Sequence, residues 1–364
     1  MNIPPSPQLY SPALDVPEKD ERETAEAISA KMHEISDKTF ADGRHAIRAV
    51  HAKSHGLLDA EVEVLGNLPA PLAQGLFAAP ARYLAIMRFS TIPGDILDDS
   101  VSTPRGLAIK IMDVPGERLE GSEDATTQDF VMVNGPTFNA PNGKAFLRSL
   151  KLIAPTTDRV EGAKKALSAV MRNVEKLVEA FGGESALAKS LGGEPPHNIL
   201  GETFFSQLPL RHGDYIAKYQ IAPVSPELVA LAGTDVAIGD DPNALRSAVI
   251  AHFADHGGTW ELRAQLCTDL NSMPIDDPTK EWDTGQSPFV TVARITAAPQ
   301  PAWTEARAVE IDDGMGFSPW QGIEAHRPLG ALMRMRKLAY ARSRQFRSER
   351  NRTPVREPAK DAAE

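Results

Sequence analysis

Residues 82–91, Arg82-Tyr83-Leu84-Ala85-Ile86-Met87-Arg88-Phe89-Ser90-Thr91, and residues 106–112, Gly106-Leu107-Ala108-Ile109-Lys110-Ile111-Met112, decide the fold class. Both are short runs of aliphatic, aromatic and β-branched residues, and turn clusters bound them: Pro93-Gly94-Asp95 between the two and Pro115-Gly116 after the second. Further runs of this kind lie on either side. Ala46–His51 is expected to form a first strand, and Val62-Glu63-Val64 alternates. Phe130–Val133, 203–209, 214–221, 259–267 and 288–297 also read as strands. Regular helical crossovers do not join them. The expected class is therefore α+β: an antiparallel sheet or β-barrel with helices segregated from it, rather than a doubly wound fold.

The helices are fewer. Residues 19–37 place Ala25, Ile28, Met32 and Ile35 on one stripe, at alternating three- and four-residue spacing. Residues 143–152 and 160–181 carry the 3.6-residue period, the second ending at Gly182-Gly183, and 184–191 adds a short turn. Over 242–255, Pro242 suits a first turn, Asp241 can cap it, and Leu245, Val249 and Phe253 recur every four residues. A last helix is expected from Leu329 to Arg347. The Pro-rich residues 1–18 read as an extended arm, 298–328 as a Pro/Trp-rich stretch of little regular structure, and 348–364 as a polar, frayed tail. The organisation predicted is an arm and helix over 1–40, a barrel with inserted helices over 41–300, and a wrapping segment, final helix and tail over 301–364.

Composition narrows the function. The chain has 364 residues and a formal charge of -10, which argues against general nucleic-acid binding. The single cysteine, Cys267, excludes a disulfide framework and four-thiolate metal sites, and reads as a buried small hydrophobe. The N-terminus has neither a basic n-region nor an apolar h-region, and no apolar run reaches spanning length, so the expected location is the cytoplasm. His252 and His256 have a spacing that can bind metal, but no third ligand accompanies them. Gly314-Met315-Gly316 lacks the third glycine of a dinucleotide loop.

The chemistry collects elsewhere. Arg336 and Tyr340 lie four apart on the final helix and so on one face. A fixed positive charge favours a phenolate, as would a ferric ion, and one use of a phenolate is as an axial haem ligand. Arg48-Ala49-Val50-His51-Ala52-Lys53, Arg88-Phe89-Ser90-Thr91, Pro104-Arg105-Gly106 and Asp129–Phe138 carry the other candidates. Strand alternation would set Arg48 and Val50 on one face and His51 on the other. Taken alone, His51 is equally a half-buried strand histidine, and each arginine a surface ion pair.

Together and in this order these segments resemble the haem catalase family over about residues 40–350. Val50-His51-Ala52-Lys53 is similar to the distal-histidine segment, and Gly322-Ile323-Glu324 through Tyr340 to Arg347 to the proximal haem-tyrosine helix. Glu281-Trp282 to Ile295 resembles the last barrel strand and its lead-in. About two dozen residues follow Tyr340. The chain therefore resembles the smaller catalase-related peroxidases that lack the C-terminal helical domain.

The resemblance implies ferric haem b as cofactor, with Tyr340 as its proximal tyrosinate ligand and the metal ligand, and Arg336 keeping the phenolate ionised. Arg48, Arg88 and Arg347 would pair with the propionates, as bidentate arginines fix both charge and rotation. Ser343 falls on the same helix face as Tyr340. His51 would be the distal acid–base, Ser90 would orient it, Val50 and Phe138 would narrow the entry, and Phe146 would pack near the haem. One position departs from the pattern. The distal asparagine of catalases falls on Val133, with Asn134 one place later; only a bulge would return Asn134 to the pocket. The implied function is a haem peroxidase with weak catalase activity, in the oxidative stress response. Its partners would be hydrogen peroxide or an organic hydroperoxide and a small organic electron donor, with neither nucleic acid nor a membrane span, and a homodimer as the assembly. Two alternatives stand beside it: fatty-acid hydroperoxide rearrangement, as in catalase-like allene oxide synthases, and non-catalytic haem binding. Those synthases tend to carry threonine where this chain has Val50.

Overall fold

The computed structural model describes Pro4, residues 6–153 and residues 194–358; the helices expected at 160–181 and 184–191 lie outside the described residues. Among the described residues, nine strands form one antiparallel sheet: β1 (Ser54–Val64), β2 (Arg82–Thr91), β3 (Arg105–Ile111), β4 (Gln128–Val133), β5 (Phe204–Phe205), β6 (Leu210–His212), β7 (Tyr215–Pro223), β8 (Gly258–Leu266) and β9 (Val290–Ala297). The sheet closes on itself. β1 pairs with β9 on one side, and the two-residue β5 pairs both with β4, through Val133 and Phe205, and with β7, through Phe204 and Ile221. β6 continues β5 along the same edge of β7, so eight strands complete the barrel, and closure removes the edges that an open sheet would leave for stray pairing.

Period-two alternation decides what faces inward. Leu58, Ala60, Val62 and Val64 of β1, Met87 and Phe89 of β2, Leu107, Ile109 and Ile111 of β3 and Phe130 and Met132 of β4 fill one core with Tyr219, Trp260 and Leu262 from the far wall. Their neighbours of opposite parity, Arg88, Ser90, Gly106, Lys110 and Val133, lie on the outer face. That outer face of β2–β4 is where the site assembles.

Four helices of eight residues or more occur among the described residues: α1 (Glu21–Gly43), α2 (Gly143–Ile153), α3 (Ala244–Asp255) and α4 (Ala331–Asn351). α1 buries Ala25, Ile28 and Ile35 of the expected stripe. It packs with α2 and α4 through Ala25, Ile28, Leu150, Ala331 and Met335. α3 buries Leu245 and presses Val249 and Phe253 onto the barrel. Asp241 does not cap α3; it turns back to the Asn243 amide, and the helix's Leu245 N–H donates instead to Asp99 at 2.8 Å.

Two segments differ from expectation. Ala46–His51 is not a strand. It is an irregular approach to β1, in which His51 has a left-handed φ of 55°. Of the strand expected at 203–209 only the two-residue β5 forms; the chain turns at Gln207, whose φ is 60°, before β6 begins at Leu210. Within 298–328 there are only a helical turn at Glu305–Ala308, a π turn at Val309–Asp313 and a 3-10 turn at Glu324–His326. No described helix is long and apolar enough to cross a membrane.

Candidate active site

The outer face of β2–β4 supplies a floor. Across neighbouring strands Ser90 pairs with Gly106 and Gly106 with Val133, so all three positions point the same way. The His51 ring lies on this floor, its Nδ1 3.1 Å from Ser90 Oγ. Gly106 is required there, because a Cβ on it would stand 2.4 Å from two atoms of the imidazole. Burial and the Arg88 charge, with Arg336 and Arg48 adding to it, push the His51 imidazole down to about 3. At neutral pH it is a neutral base.

The backbone carrying His51 is held from both sides. Its N–H donates to Ile92 O at 2.7 Å, and the next residue's to Pro93 O at 3.0 Å. Arg88 Nη2 donates to the carbonyls of His51 at 2.8 Å and Ala52 at 3.1 Å. Arg88 Nε in turn donates to Asp312 Oδ1 at 2.6 Å.

Asp312 sits at the centre of an arginine cluster. Arg48 donates to the carbonyls of Ile311, Asp312 and Met315, and Arg347 to those of Asp312, Asp313 and Met315. Ser54 Oγ donates to Asp312 Oδ2 at 2.6 Å. Burial raises the Asp312 carboxyl, but the Arg88 and Arg48 charges outweigh it and hold the group below the usual range. Burial and mutual repulsion push Arg48 well below its ordinary value and Arg347 to about 10. Three guanidinium groups thus share one enclosed carboxylate, with Asp313 at the margin. The buried Arg347 Nε has no hydrogen-bond partner among the described residues. The cluster carries unbalanced positive charge and invites an anion.

Beside it, α4, residues 48–50 and residues 316–321 surround a cavity of about 570 Å³, lined among others by Arg48, Val50, Trp320, Tyr340, Ser343 and Arg347. Tyr340 is held by its own helix: Arg336 Nη2 donates to the phenol oxygen at 2.9 Å. Trp320 is fixed by a 2.8 Å bond from its Nε1 to Met333 O.

The structure therefore splits the predicted residues. Arg48, Val50, Tyr340, Ser343 and Arg347 share the cavity. His51 and Ser90 form the histidine floor, and Arg88 ties that floor to the arginine cluster. Arg336 reaches Tyr340. Phe138 and Phe146, with rings 5.2 Å apart, pack against Leu332 and Met333 at the start of α4. Asn134 does not join the group. The β3–β4 register is unbroken, so no bulge turns it inward. Its amide accepts from Arg105 N–H at 2.9 Å and donates to Glu194 at 2.9 Å. Val133 takes the place beside Gly106 instead. The other basic side chains along α4 are spent on ion pairs: Arg334 pairs with Asp15 and Glu21, Arg342 with Glu26, Lys337 with Glu120 and Arg344 with Glu357. His252 Nε2 donates to Gly257 O at 3.0 Å, and no group of three metal-ligating side chains occurs among the described residues.

Sequence reasoning missed Asp312. It lies in a stretch without periodicity, and its only signal is an acidic pair, Asp312-Asp313, ahead of Gly314.

No family model matches the chain, and no curated protein matches it. Solved structures do. A fungal catalase determined at 1.9 Å matches with a TM-score of 0.59 and 17% identity over 90% of this chain and 67% of its own. Catalase A from Saccharomyces cerevisiae gives a TM-score of 0.59 and 17% identity over 88% and 65%. A bacterial catalase gives 0.59 and 16% over 90% and 63%. The chain thus spans about two thirds of the length of the structures it matches. At this identity the likeness is one of architecture: a closed eight-stranded antiparallel barrel with segregated helices, as in catalases.

Proposed function

We propose that this chain is a haem-dependent peroxidase on a catalase-like fold, of the small catalase-related kind. The observation that carries the reading is the pairing of two features that Arg88 links. A neutral imidazole is pinned over Gly106, and an arginine-bonded phenol and an under-neutralised arginine cluster open onto the adjoining cavity.

The residues present fit the cofactor. The cavity volume is in the range of cofactor sites. The unpartnered Arg347 Nε and the surplus of guanidinium over carboxylate suit a ligand with two carboxylates. Tyr340 would hold the iron, Arg336 would stabilise its phenolate form, and Arg48 and Arg347 would take the carboxylates. When bound, ferric haem supplies the redox centre that accepts an oxygen atom's oxidising equivalents from peroxide and passes them to a donor.

The chain's own part is proton handling. His51 Nε2, free because Nδ1 faces Ser90, would take a proton from one peroxide oxygen and return it to the other, which would leave as water or alcohol. Val50 and Val133 leave the histidine without a polar partner for a second peroxide. This supports peroxidase turnover, and acceptance of organic hydroperoxides, over rapid oxygen release.

The test is haem reconstitution followed by peroxide with and without an oxidisable dye. Wild type should bind haem with a tyrosinate-type ferric spectrum and oxidise the dye without oxygen evolution. His51→Ala should keep the spectrum and lose about 100-fold or more of the rate, and Tyr340→Phe should lose the spectrum. A protein that stays colourless after haem supplementation rules the reading out, and rapid oxygen release would replace peroxidase with catalase.

A further inference from the structure

His51 occupies an unfavourable backbone conformation for a residue with a side chain. A left-handed φ of 55° costs a non-glycine residue about 1–2 kcal/mol and persists only where surroundings enforce it. Besides the Ile92 and Pro93 carbonyls, the side chain that enforces it is Arg88, which spans the His51 and Ala52 carbonyls. A lone guanidinium on a strand could swing. This one cannot, because Asp312 accepts from its Nε at 2.6 Å. Asp312 is itself locked, since Ser54 Oγ donates to its other oxygen at 2.6 Å while accepting from Trp303 Nε1 at 2.9 Å. Its backbone lies in the π turn at Val309–Asp313, whose carbonyls are gripped by Arg48 and Arg347. The order of contacts is therefore π turn, Asp312, Arg88, His51. Three of the five N–H groups of Arg88 are committed to this bridge rather than to the cavity.

We infer that Asp312 is a positioning residue for His51: through Arg88 it fixes the backbone that carries the imidazole and so sets where the proton-handling nitrogen stands. The inference deepens the peroxidase reading and rests on it for the role of His51, but the geometric relay is measurable without cofactor.

Two variants and two readouts test it. Asp312→Ala removes the anchor. Arg88→Lys keeps the charge but cannot bridge one carboxylate and two carbonyls, so it reports geometry alone and serves where Asp312→Ala folds poorly. The first readout is the NMR titration of the His51 imidazole in the cofactor-free protein, where Arg88, Arg336 and Arg48 are the charges that face it. Both variants should release the ring from its half-buried seat and move its titration from about 3 towards 6.5. The second is the second-order rate with hydrogen peroxide in the haem-loaded protein, which should fall about 100-fold with the ferric spectrum unchanged. A lowered melting temperature with the titration and the rate both unmoved would make Asp312 a stabilising contact only and overturn the inference. If the titration moves as expected but wild type neither binds haem nor consumes peroxide, the tether stands and the peroxidase reading falls.

Discussion

At the scale of single residues, Gly106 and its cross-strand neighbour Val133 show how little chemistry a position needs to matter. Gly106 acts by having no side chain. Gly106→Ala would drive a methyl group into the His51 ring, and the ring is held too firmly by Ser90 and Arg88 to move aside freely. The expected outcome is a loss of about 100-fold in peroxide-dependent dye oxidation with haem content retained; an unchanged rate would mean that the imidazole is not where catalysis needs it. The residue types at this site are legible in the sequence. His51, Ser90, Arg48, Arg347, Arg336 and Tyr340 are all recognisable from local spacing and resemblance. The place of Asn134 is not, because one position along a strand decides which face a side chain takes, and only the register with β3 shows which. Asp312 is invisible because its partners are 224 and 258 positions away in sequence.

At the scale of elements, the approach to β1 matters most. A run such as Ala46–His51 has the composition of a strand, yet its hydrogen bonds go to turn carbonyls at Ile92 and Pro93. Such bonds are set by what lies across the loop rather than by propensity. The other decisive element is α4, which carries Tyr340 and is anchored to the N-terminal arm. Arg334 donates to Asp15 and to Glu21, and all three side chains are largely shielded from solvent. Arg334→Ala strands two carboxylates there. It should destabilise the fold by about 3 kcal/mol in urea unfolding. Adding Asp15→Asn should recover part of that loss; strict additivity of the two changes would show that the pair is not coupled. Most helix ends and most strands fall within a few residues of expectation, since local periodicity sets them, although α1 runs six residues beyond the expected 37 to Gly43. The capping of α3 by Asp99 does not, because that partner comes from another part of the chain.

At the scale of the whole molecule, the barrel closes over a polar chain in an otherwise apolar core. Leu76 N–H donates to His326 Nε2, so the other nitrogen carries the proton and donates to Tyr219 Oη at 3.0 Å. Tyr219 then donates to His212 Nδ1 at 2.7 Å, and His212 Nε2 donates to Leu72 O at 3.1 Å. Every member is neutral and satisfied, in one direction only. Tyr219→Phe leaves a buried donor and a buried acceptor unpaired, at a cost of about 1–3 kcal/mol for each, readable as a lowered urea midpoint. Burial pushes His212 down to about 4 and His326 to about 3. Histidines with depressed folded values are neutral in both states above pH 6.5. As the pH falls below that, the unfolded chain takes up the protons first, and stability drains away until the folded values are reached. For these two fully buried rings the loss is on the order of 2 kcal/mol each at pH 5. Asp129, pushed up by burial and by Glu357 against the pull of Lys110, works in the opposite direction. The clean measurement is therefore differential: His326→Gln should flatten the dependence of unfolding free energy on pH between 5 and 6.5, and an unchanged slope would refute the assignment.

What the sequence determined by itself was everything that local period and composition encode. It specified the strands by alternation, the helices by their apolar stripes, the antiparallel α+β class by the lack of crossovers, and the Arg336–Tyr340 pair by helical spacing. What only the tertiary structure decided was closure of the barrel through the two-residue β5, the left-handed seat of His51, the exclusion of Asn134 and the Asp312–Arg88 bridge. The physical reason is the same in each case. These features depend on register and on partners far apart in the chain, and the energy that selects them exists only once folding has brought those partners into contact.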